Sequence, residues 1–132
     1  MLSSTTSFIK EYECPSTVEP ADQTKIRIAD TYHVYYINTR DIVRIQSLSN
    51  YSKIFFTSGK SILVCKVLAY FDALLTDLHF VRIHRTHLVN LLFIKQYEPG
   101  RMPRIGLNNN EVLPVSRRKK KIVRHEMKML GL

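Results

Sequence analysis

Short runs in which apolar and polar positions alternate dominate the chain from Thr24 onward. KIRIA, YHVYYI and DIVRIQS alternate or carry β-branched and aromatic residues, and turn-prone Asp30-Thr31 and Asn38-Thr39 separate them. That pattern predicts three short strands. SKIFF and SILVCK flank Thr57-Ser58-Gly59, where a glycine can supply the positive φ that a hairpin needs. RIGL and EVLPV predict another hairpin around Asn108-Asn109-Asn110, because Asn tolerates the left-handed conformation better than other side chains. Pro114 lacks an amide hydrogen and so puts its strand at an edge or ends it.

Two segments change period. In VLAYFDALLTDL, Leu68, Phe71, Leu75 and Leu78 share one helical face, which predicts a short helix covering a sheet. In SRRKKKIVRHEMKML, Ile122, Val123, Met127 and Leu130 line one face, and Arg117, Lys120 or Lys121, Arg124 and Lys128 line the other. This final helix is amphipathic and basic, with Ser116 where an N-cap would stand. RIHRTHLVN fits neither pattern, since its alternation stops at Arg85. We read Val81 and Ile83 on one side of a strand and Arg82 and His84 on the other. Thr86 would then cap a single helical turn over His87 to Asn90, before LLFIKQY resumes as a strand. Residues 1–23, rich in Ser, Thr, Pro and Glu, show no sustained periodicity and are expected to be a flexible tail or linker. The expectation is one mostly-β domain over residues 24–132, with no internal repeat.

Charge sharpens this picture. Of 132 residues, 45% are hydrophobic, enough for one globular core, and the formal net charge is +9. Residues 1–78 hold eight basic and eight acidic side chains, whereas residues 79–132 hold twelve and three, so the whole excess lies in the C-terminal part. That asymmetry suggests a polyanionic partner. Cys14 and Cys65 form no CxxC pair, which argues for reduced thiols over a disulfide framework or zinc ribbon. No apolar run reaches the length of a membrane span, and the first residues lack the hydrophobic centre of a signal peptide. The expected location is the cytoplasm.

Arg117 to Lys121 place five cations in a row at the start of the final helix, where the helix dipole disfavours them by about 0.3–1 kcal/mol each. The placement becomes favourable when an anion lies over the helix N-terminus; the alternative is a solvated charge run. Arg85, at a strand end, is displayed at the rim of a sheet. There an arginine can donate two parallel hydrogen bonds to guanine or phosphate, or else form a surface ion pair. His84 and His87 stand three apart, but HExxH, GxSxG and glycine-rich phosphate loops are all missing. No enzyme, metal or cofactor is therefore expected, and His84 should pack with its ring nitrogens hydrogen-bonded. Tyr35, Tyr36, Phe55 and Phe56 are adjacent pairs that face opposite sides of a strand, so packing explains them better than base stacking.

In order and spacing, DIVRIQSLSNYSKIFFTSGK, LAYFDALL, FVRIHRTHLVNLLFI and LNNNEVLPVSRRKKKI resemble the LytTR DNA-binding domain of bacterial response regulators. The resemblance spans roughly residues 24–130. It implies small antiparallel β-sheets with short helices, entering DNA through loops. It also implies base contacts from the turn Ser49 to Lys53, through Asn50 and Ser52, from Arg85, and from Arg117. Lys53, Arg118, Lys119 and Lys120 would hold phosphates. The family's usual glycine before Asn-Tyr is Ser49 here, which implies a different backbone at that turn. The family's usual receiver domain is not expected within these residues, which read either as an excised C-terminal domain or as a stand-alone regulator controlled some other way. The partner expected is double-stranded DNA with repeated half-sites, bound by a protein monomeric in isolation, two copies per double site. A module for RNA or an acidic protein is the alternative, and a histidine-dependent nuclease is more remote.

Overall fold

The computed structural model describes residues 25–131, so the tail expected over residues 1–23 lies outside the described residues. Strands β1 (Lys25–Ala29) and β2 (Val34–Asn38) form a hairpin sheet of their own. A five-stranded sheet follows, ordered β5-β4-β3-β7-β6, from β3 (Ile42–Leu48), β4 (Tyr51–Phe56), β5 (Ser61–Val64), β6 (Phe80–His84) and β7 (His87–Asn90). Helix α1 (Leu68–Leu74) lies between β5 and β6 in the chain. The third sheet, ordered β10-β9-β8, comprises β8 (Ile94–Glu98), β9 (Arg104–Leu107) and β10 (Val112–Pro114), before helix α2 (Lys120–Met129) ends the fold. Every strand pair is antiparallel. The mostly-β architecture of small sheets, few helices and a basic C-terminal helix is thus the one expected.

Strand pleating sorts side chains into two cores. On one face of the five-stranded sheet, Ile45, Ile54 and Leu88 pack with Leu68, Phe71 and Leu75 of the α1 segment and with Ile28 and Ile37 of the first hairpin. On the opposite face, Val43, Val81 and Val89 meet Ile105, Leu107 and Leu113 of the third sheet and Val123 of α2. Each fully buried aliphatic side chain stabilises by about 1.5–3 kcal/mol, so the central sheet is clamped from both sides. Gly59 takes φ 91 in the β4–β5 turn, and Asn110 takes φ 73 in the β9–β10 turn. Pro114 sits on edge strand β10.

Three local expectations need correction. His87–Asn90 is strand β7 and not a helical turn. Leu88 serves one core and Val89 the other, and a strand buried on both faces loses the alternation that marks a strand. The helical turn comes immediately after it, over Leu91–Phe93, with Asn90 as its cap. The Asn90 side chain accepts from Leu92 N–H at 3.0 Å and donates to the carbonyl of Ile42 at 3.0 Å. In the C-terminal element, Arg117–Lys119 form a separate 3₁₀ turn, and Ser116 makes no side-chain cap. That tighter turn shifts the phase of the helix. Val123 is buried and Met127 and Leu130 flank it, but Ile122 is 47% exposed. No helix among the described residues is long and apolar enough to cross a membrane.

Candidate nucleic-acid interface

Because β3 and β7 are antiparallel neighbours, the β3–β4 turn and the β6–β7 turn emerge at the same end of the sheet. Ser47 N–H donates to the carbonyl of Thr86 at 2.9 Å, the rung nearest both turns. Ser116 N–H donates to the carbonyl of Ile83 at 2.8 Å, which brings the start of the basic C-terminal element to that same end. Asn50, Arg85 and Arg117, separated by 67 positions from first to last, therefore stand at the tips of three adjoining turns.

Each tip is held by its own local bonds. Ser49 adopts φ 59, a left-handed backbone that a glycine takes most easily. Asn50 beside it is exposed. Arg85-Thr86 forms the β6–β7 turn, and its carbonyl at Arg85 accepts from Arg82 Nη2 at 2.8 Å. Arg82 in turn lies 3.9 Å from Asp72 on α1. His84 Nδ1 accepts from Thr86 N–H at 3.3 Å and lies 2.9 Å from Thr86 Oγ1, so the expected packing of this ring against the turn is present. The Arg85, Arg117 and Arg118 side chains are exposed, and Lys119 and Lys120 partly so. None of these five cations is engaged in an ion pair with a described residue.

Ser52 does not belong to this surface. Strand alternation turns it inward beside Ile54, it is fully buried, and its hydroxyl donates to the carbonyl of Lys66 at 2.7 Å. The expectation of a base contact from Ser52 is therefore set aside. Lys53, on the opposite face, lies 5.2 Å from the centre of the Phe55 ring, which the Arg44 guanidinium covers at 3.8 Å.

Sequence reasoning missed the support behind the turns. Arg44 has a side chain only 8% exposed. Its Nε and Nη2 donate to the two carboxylate oxygens of Glu111 at 3.0 and 3.1 Å, and Nη1 donates to Gln46 Oε1 at 2.9 Å. This fork ties the central sheet to the β9–β10 turn, and the Arg44 bond holds the Glu111 carboxyl below its usual range. The signal available was a charged residue between Val43 and Ile45 in a strand buried on both faces. Next to the fork, burial and then the Arg44 charge push the His87 imidazole down to about 4. The His84 and His87 rings are 5.8 Å apart, and among the described residues no cluster of three or more His, Cys, Asp and Glu is placed to hold a metal ion.

The fold is a β-rich domain in which the Asn50, Arg85 and Arg117 turns gather at one end of the central sheet. A profile of the LytTr DNA-binding domain matches residues 32–128, and the chain belongs to that family. The family's role is DNA binding. Among solved structures, the fold is similar to the LytTr DNA-binding domain of a methyl-accepting/DNA response regulator from Bacillus cereus. The TM-score is 0.66 at 19% identity, over 80% of this chain and 97% of that one. No curated protein matches the chain.

Proposed function

We propose that this domain binds double-stranded DNA sequence-specifically, as the effector part of a bacterial transcription regulator of the response-regulator type. One observation carries the reading: three turns bearing Asn50, Arg85 and Arg117 adjoin at one end of a rigid sheet, with Arg118, Lys119 and Lys120 behind the last. Asn50, Arg85 and Arg117 reach base edges, while Lys53, Arg118, Lys119 and Lys120 hold phosphates. The regulatory part of this reading is supported by the similar Bacillus cereus domain, which is described as part of a response regulator. The expected complex has one copy on each of two repeated half-sites, formed by a protein that is monomeric without DNA.

The test is a titration of mixed-sequence duplex DNA, single-stranded RNA and a duplex selected from a random pool, at several salt concentrations. Neutralising about four to seven phosphates gives a slope of log K against log salt of roughly −4 to −6 on duplex DNA. A flat salt response, or stronger binding to the RNA, overturns the reading in favour of a different partner.

A further inference from the structure

Arg101 lies outside every set of contacts assigned above, yet it stands beside one of them. The β8–β9 turn runs Pro99-Gly100-Arg101-Met102-Pro103. Pro99 and Pro103 restrict the backbone at both ends of the turn, and Gly100 between them takes φ 129. Val115 N–H donates to the carbonyl of Pro103 at 2.9 Å, one residue before the Ser116 bond to Ile83. The turn is thereby tied to the segment that presents Arg117. Between them lies a cleft of about 270 Å³ lined by His84, Arg101, Pro103, Val115 and Arg117, among others.

The side chains of the turn differ in what they have left to bind. Arg104 is neutralised by Glu98, with Nη2 to Oε1 at 2.6 Å. Arg101 is exposed and has neither an ion pair nor a hydrogen bond with a described residue. Met102 is 81% exposed at the tip, a large apolar side chain next to Arg101 that lines the same cleft as Arg117. Neither feature helps the domain fold. Both suit the sugar-phosphate backbone of a duplex already engaged by Arg117, where Arg101 meets a phosphate oxygen and Met102 lies against a sugar face.

We infer that the β8–β9 turn is a fourth DNA-contacting element, in which Arg101 holds a backbone phosphate on the flank of the Arg117 contact. The inference rests on the proposed DNA-binding reading and adds a positioning contact to it. The test compares the full chain with Arg101→Ala on a mixed-sequence duplex and on a selected duplex. Lys60→Ala serves as the control, on the β4–β5 turn at the far end of the sheet. Arg101→Ala should weaken binding to both duplexes by a similar factor, about three- to tenfold, and make the salt slope shallower by about 0.9. Thermal midpoints and Lys60→Ala should stay at the wild-type values. Wild-type affinity and slope in Arg101→Ala would overturn the inference while leaving the DNA-binding reading intact. A wild-type protein that binds neither duplex would overturn both together.

Discussion

The backbone N–H of Ser47 lies 2.9 Å from the carbonyl of Thr86, and it joins the two strands that end in the Asn50 and Arg85 turns. The bond involves no side chain, so the spacing between the tips is a property of the sheet. Substitutions at the tips should therefore change what is contacted and not how the tips are arranged. Arg85→Ala or Arg117→Ala should cost about 1–3 kcal/mol on a selected duplex and much less on mixed sequence, whereas Lys119→Ala should weaken both about equally. Equal losses on both duplexes for all three variants would show that base reading lies elsewhere.

The Arg44–Glu111 fork predicts an asymmetry. Glu111→Ala leaves a nearly buried guanidinium without its carboxylate, whereas Arg44→Met replaces the cation by an apolar chain that can stay against Phe55. The first should destabilise by about 2–4 kcal/mol and the second by less. Urea denaturation decides this, and a larger loss for Arg44→Met would mean that the guanidinium's contacts with Gln46 and Phe55 outweigh the relief of its charge.

Asn90 is 2% exposed and bonds in two directions, to Ile42 O and Leu92 N–H. Asn90→Ala would leave both partners unsatisfied, at a cost of about 2–3 kcal/mol, read as a lower thermal midpoint. A change under about 0.5 kcal/mol would indicate that water replaces the amide at that site.

His87 gives the domain a pH dependence whose sign follows from its depressed value. The folded state keeps the ring neutral down to about pH 4, while the unfolded chain takes up a proton near the ordinary value of 6.5. More protons are bound by the unfolded state between those values, so stability falls as pH drops through that window. The low-lying Glu111 carboxyl adds a further loss as pH falls below its ordinary 4.5. Urea midpoints measured from pH 7 to about pH 4 should decline in the wild type, with a flatter upper part in His87→Gln. An equally steep decline in both would assign the effect to other groups.

Most strands were legible because half-buried strands alternate, as in YSKIFF, where Ser52 and Ile54 point in and Tyr51 and Lys53 do not. That same alternation puts Ser52 on the inner face, whereas the family pattern places it beside Asn50 at the turn. His87–Asn90 was illegible for the opposite reason, since burial on both faces erases the period that identifies a strand. Ile122 was misplaced because a 3₁₀ turn is not visible in a run of cations. The gathering of Asn50, Arg85 and Arg117 was not readable from spacing at all, because strand order and two backbone bonds create it.

Those main-chain rungs beneath the tips are indifferent to the side chains above them. A lineage can thus alter the residue at one tip without rebuilding the scaffold or disturbing the other two. On the proposed reading, recognition built this way diverges by single steps, and closely similar domains are free to acquire different operators while their cores stay nearly interchangeable.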